Sequence, residues 1–220
     1  HAQTEDGEPI EHLCLSAPQY VLRLHQAYLA AGCQAIKTNT FAAHVSMACE
    51  NEEQQREVIL AAWTLARRAA EGYQAAVFAD IGPAAIETEN AVADYCAMAD
   101  LFLEAGATCF LFETMPTDKG LAEAAAHIRK RCPQAFILVS FAAGADGFTR
   151  AGEQAEKLIA KMSVCKDVDA VGLNCICGAY HMRKLLSGIR VKGKWLSAMP
   201  NAGYPHVEEG RTYYDSDPVY

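Results

Sequence analysis

The sequence predicts an α/β fold, a (β/α)8 TIM barrel lacking its first and last strands, and three observations predict it. Strand-like apolar runs alternate with helix-like segments along the chain. The runs are almost continuously apolar, as in a parallel sheet covered by helices. Their C-terminal ends carry polar or reactive residues: Asn39, Asp80, Glu113, Ser140, Asn174, Cys175 and Asn201. In a (β/α)8 barrel the active site collects at that rim. A doubly wound sheet also fits six strands, but no strand-to-helix turn carries a G-x-G-x-x-G or G-x-x-x-x-G-K phosphate loop. A complete barrel takes about 250 residues. The 220 residues here are therefore read as one barrel domain over 1–220, incomplete at both ends.

Taken in order, residues 18–31 carry apolar positions at helical spacing and stop at Gly32, a helix-end signal. The segment 34–41, "QAIKTNTF", reads as a short strand with a polar end. A long helix over 51–71 ends at Gly72, and "AAVFADI" (75–81) is a buried-type strand closed by Gly82-Pro83. The unit then repeats: helix 91–105 and strand 108–114, helix 118–131 and strand 135–141, helix 153–162 and strand 170–175, helix 180–188 and strand 195–199. After "PNAGYP" the chain is polar and turn-rich. The first twelve residues are polar and loop-like.

Composition narrows the function class. The 27 acidic against 19 basic residues give a net charge of -8, and no basic cluster is longer than Arg129-Lys130-Arg131, so nucleic acid is not an expected partner. No apolar run approaches the ~18 residues of a membrane span. Nine cysteines are scattered through a chain too large to depend on disulfide staples. They read as free thiols in a reducing cytoplasm, seven or eight of them small core residues.

Six segments resemble the homocysteine S-methyltransferase family, the zinc-dependent barrel also found in methionine synthases and betaine–homocysteine methyltransferases. They are "AYLAAGCQAIKTNTFAA" (27–43), "ADIGP" (79–83), "LEAGATCFLFETM" (103–115), "VSF" (139–141), "VGLNC" (171–175) and "PNAGYP" (200–205), in family order. The resemblance implies a first strand with an Asp-Gly-Ala-Met-Gly-Thr stretch and a last strand with Gly-Gly-Cys-Cys-Gly. Neither stretch occurs in residues 1–220. It also implies transfer of a methyl group to zinc-bound homocysteine, giving methionine. The donor is S-methylmethionine, S-adenosylmethionine or methyltetrahydrofolate. A fused methylenetetrahydrofolate reductase domain is compatible with it.

The chemistry explains why a cysteine at a strand end matters. A thiol titrates near pH ~8.5 and is a poor nucleophile until deprotonated, which coordination to Zn²⁺ achieves. A catalytic zinc keeps three protein ligands and one open position. By spacing alone Cys175 reads as a buried strand-end thiol more readily than as a ligand; the resemblance implies the ligand, with two further cysteines expected beyond Tyr220. Cys177 is expected to be a helix-entry residue, since Cys-x-Cys is neither a zinc-knuckle nor a Cys-x-x-Cys spacing. A redox pair with Cys175 is the alternative.

Glu113 ends an apolar strand, where a carboxylate is costly unless paired. The resemblance implies a bond to the homocysteine ammonium, and the alternative is a structural ion pair. Asn39 and Phe41 lie on a stretch that borders the homocysteine pocket in the family, with structural packing as probable for each. Asn174 is expected to orient the backbone beside Cys175. His44 and His181 follow strand ends, within possible reach of the site. Two readings compete with methyl transfer: a Schiff-base aldolase or lyase using Lys37, and a catalytically degenerate module that binds homocysteine or a partner.

Overall fold

The structure, a computed structural model, describes residues 4, 7–45, 47–85, 90–202, 205–208 and 211–214. The chain divides into two compact units. The first comprises His1–Phe112 and Lys119–Ile137, the second Glu113–Asp118 and Leu138–Tyr220.

The first unit opens with a 3-10 turn at Ile10–His12, followed by α1 (Leu13–Ser16) and α2 (Pro18–Ala30). Strand β1 is Ala35–Lys37, three residues rather than the eight of the predicted strand. Thr38 and Thr40 bond instead through their hydroxyls (2.7 Å), and Thr40 Oγ1 donates to Asp80 O (2.6 Å). Helix α3 (Glu52–Ala69) starts where Asn51 Oδ1 accepts the Gln54 N–H at 2.9 Å. Glu52 and Glu53 occupy its first turn and Arg67 and Arg68 its last, opposing the helix dipole at both ends. Gly72 and Gly106, at φ 82° and 85°, turn the chain out of α3 and α4 (Ala91–Glu104).

Strand β2 (Ala76–Ile81) pairs in parallel with β1, Ile36 opposite Val77, and with β3 (Cys109–Met115), Ile81 opposite Phe112. The core beside them is aromatic. Tyr95 meets Phe112 edge-on at 5.7 Å, and Trp63 meets Phe102 at 6.1 Å. Helix α5 (Leu121–Arg131) leads into β4 (Phe136–Phe141).

The second unit holds the ends of β3 and β4 together with α6 (Ala155–Ser163), β5 (Ala170–Gly178), α7 (Ala179–Leu186) and β6 (Trp195–Asn201). Strand β4 pairs in parallel with β5, Ser140 opposite Gly172, and β5 with β6, Gly172 opposite Ser197. Glycine at 172 is a packing requirement: a Cβ there would lie 2.1 Å from Ser197 O.

The fold is thus α/β with six parallel strands in chain order, β1 to β6, each preceded by a helix. This is part of the (β/α)8 pattern. Two differences from the sequence reading stand out. Strand β5 continues past Cys175 to Gly178, and the polar tail forms an antiparallel pair, β7 (Pro205–Glu208) with β8 (Arg211–Tyr214), instead of turns alone. No helix among the described residues is long and apolar enough to cross a membrane.

Candidate active site

The ends of β3 and β5 in the second unit meet at Asn174, which is buried (1% exposed). Its Oδ1 accepts the Thr114 N–H at 3.0 Å, while its Nδ2 donates to Thr114 Oγ1 at 2.6 Å and to Cys175 Sγ at 3.1 Å. Thr114 Oγ1 also lies 3.7 Å from Cys175 Sγ. The thiol is half-buried and faces two polar groups. An amide N–H and a hydroxyl are thus both placed to donate to the sulfur.

Glu113 precedes Thr114 on β3 and is buried, 6% exposed, though not without a partner. Ser140 on β4 is fully buried, and its Oγ has no hydrogen-bond partner among the described residues. Cys177 is buried within β5 and does not open the following helix, which starts at Ala179. Burial raises its thiol above the ordinary range. Both Cys175 and Cys177 are free thiols. His181 is half-buried and stacks edge-on against Tyr180, 5.2 Å between centroids. Asn201 is the last residue of β6, opposite Gly178.

Asn39 and Phe41 belong to the first unit. Asn39 Nδ2 donates to Ile10 O at 2.6 Å and lies 3.7 Å from Cys14 Sγ, tying the N-terminal turn to the end of β1. Phe41 is half-buried, and its carbonyl accepts the Gly82 N–H at 3.1 Å. His44 Nε2 bonds Gly82 O at 2.9 Å, so the proton sits on that nitrogen; burial lowers its pKa. Lys37 Nζ pairs with the buried Asp80 Oδ2 at 3.2 Å.

Sequence reasoning missed two residues. Thr114 lies inside "ETM", where a hydroxyl after a strand-end carboxylate is a visible signal. Glu11 was assigned to a polar loop, yet it is buried at 2% and its Oε1 accepts the Ala42 N–H at 2.9 Å. The cysteines also differ from the expectation: four are buried, four are half-buried and Cys33 is exposed.

The profile of the homocysteine S-methyltransferases matches residues 3–220. The chain belongs to that family. Its fold is similar to that of the homocysteine methyltransferase MmuM from Escherichia coli. The metallated form gives a TM-score of 0.69 at 21% identity, covering 87% of this chain and 75% of that one. The apo form gives 0.69 at 23%, covering 88% and 75%. A dihydrodipicolinate synthase from Agrobacterium tumefaciens is more distant, with a TM-score of 0.50 at 18% identity over 79% of this chain and 54% of that one.

The family implies zinc, and the donor set allows a partial fit. Cys175 is a donor of the right kind, with its sulfur already accepting an N–H. Among the described residues, however, no group of three His, Cys, Asp or Glu side chains is placed to hold a metal ion. Cys175 offers one sulfur donor, and the described residues do not complete a set of three around it.

Proposed function

We propose that this member of the homocysteine S-methyltransferase family moves a methyl group from S-methylmethionine, S-adenosylmethionine or methyltetrahydrofolate to the sulfur of homocysteine, yielding methionine on a (β/α)8 barrel. The observation that carries the reading is the Asn174–Thr114–Cys175 cluster at the strand ends. Zinc, when bound, supplies the Lewis acidity that keeps the homocysteine sulfur deprotonated. Cys175 would be one of its ligands, and the two others are cysteines of a Gly-Gly-Cys-Cys-Gly stretch that residues 1–220 do not include.

The chain's own residues bind and orient. Asn174 and Thr114 hold the Cys175 sulfur at a fixed place beside the end of β3. Glu113, on the neighbouring position of that strand, is the carboxylate for the homocysteine ammonium. Burial strengthens such a charge pair relative to one in water. The substrate sulfur then attacks the donor's methyl carbon in line, and the donor leaves with the electron pair of the broken bond.

The test is methionine formation from homocysteine with each of the three donors in turn, together with zinc content, for the full-length protein and its Cys175→Ala variant. The reading expects one donor to be used, and expects the variant to lose at least a hundredfold in rate and most of its zinc. Unchanged zinc in Cys175→Ala sinks the ligand assignment. Homocysteine binding without turnover of any donor would leave the binding-module reading in its place.

A further inference from the structure

Three non-glycine residues among those described have positive φ: Thr114 at 60°, Cys175 at 57° and Ile176 at 61°. All three lie in the second unit, and they are not scattered. Asn174 bonds the backbone and hydroxyl of the first and the sulfur of the second, and the third follows directly. Left-handed backbone is unfavourable for any side chain with a Cβ and worst for β-branched ones, which describes both Thr114 and Ile176. Such outliers persist only where the surroundings over-determine them.

The ladder shows what the conformation achieves. Asn174 stands opposite Met199 and Gly178 opposite Asn201, so four residue steps on β5 are matched by two on β6. The surplus is taken up at Cys175 and Ile176, both of which have positive φ. A bulge of this kind re-aims a side chain out of the pleat. Here it turns Cys175 Sγ back onto the Asn174 amide, 3.1 Å away, while Ile176 is thrown outward to 41% exposure.

We propose that Ile176 is a positioning residue: its left-handed, β-branched backbone stiffens the bulge and so fixes the direction of the Cys175 thiol. The proposal deepens the reading of Cys175 as a zinc ligand and rests on that reading for its purpose, but its geometry is independent of any metal. The turn is a stiff hinge under strain, and the Asn174–Thr114 clamp keeps it closed.

Peptide-resolved alkylation of the metal-free chain by iodoacetamide tests it, with the exposed Cys33 as internal standard. Glycine at 176 removes the strain and frees the turn. Ile176→Gly is therefore expected to raise the Cys175 alkylation rate at least threefold relative to Cys33. Its thermal midpoint should stay at or above the native value despite the lost side chain. Ile176→Asn, which tolerates the same φ, should keep that midpoint too, and Ile176→Val should match native in both readouts. A Cys175 rate in Ile176→Gly less than threefold above native overturns the proposal. So does a fall of its midpoint beyond about 4 °C, the scale of one lost unit of packing in a chain this size. Zinc content reads the other assignment: unchanged zinc in Cys175→Ala removes the ligand role, whereas unchanged alkylation removes only the aiming role.

Discussion

Asn174 is the residue on which the site's geometry converges, because one amide satisfies a backbone N–H, a hydroxyl and a thiol sulfur at once. Removing it leaves the half-buried Thr114 N–H without its acceptor, a cost of about 1–3 kcal/mol. Asn174→Ala is accordingly expected to lower the unfolding free energy by about 2 kcal/mol. Thr114→Val keeps the same β-branched shape and loses only the hydroxyl, so it should cost less, about 1 kcal/mol. Urea unfolding of the two variants checks the order; an equal or reversed pair would show that the backbone N–H bond is not the main contribution. The place of Cys175 at a strand end was legible because "GLNC" closes an apolar run. The conformation was not: nothing in the letters Cys175 and Ile176 favours positive φ, which sequence reasoning expects of Gly or Asn. Strain imposed by tertiary contacts leaves no mark on local propensity.

At the scale of elements, the six helix–strand steps were legible for a simple reason. Strands β3 and β4 are largely buried, so each opens on an uninterrupted apolar run, "CFLF" and "FILV". Helix α3 announced itself by the Gly72 that follows it. The β7–β8 pair is polar, and its sequence reads as turns. β1 was over-extended because Thr38 and Thr40 have strand propensity, yet their hydroxyls bond one another and the β2 backbone. The spacing of β5 and β6 rests on one residue. In Gly172→Ala the new Cβ meets the Ser197 carbonyl at 2.1 Å, a backbone contact that no rotamer change relieves. We expect a loss of about 3 kcal/mol and a midpoint lower by about 6–12 °C. Retention of the native midpoint in a thermal melt would show that β6 moves aside without cost.

For the molecule as a whole, buried titratable groups set the pH range of stability, and those with shifted pKa include four in the first unit. Burial lowers the pKa of His25 and His44 below their ordinary 6.5. A depressed folded pKa means that the unfolded chain takes up the proton first. The contribution of these two histidines is complete above pH 6.5 and is lost as the pH falls below it. Cys14 and Cys49 behave in the opposite sense. Burial, with the charge of Glu11 adding to it, raises each from 9.0 to about 11, although the Asn39 side chain pulls Cys14 back somewhat. The unfolded thiol therefore ionises first as the pH rises, and stability drains away between pH 9.0 and about 11. For Cys14, a displacement of this size corresponds to about 2–3 kcal/mol. A thermal-midpoint profile from pH 5 to 11 should thus show a plateau with a fall on each side. Cys14→Ala should lose a constant amount on the plateau and fall less steeply than native on the alkaline limb, while His44→Gln should flatten the acidic limb. If the alkaline limbs of native and Cys14→Ala run parallel, the Cys14 thiol is not what fails there.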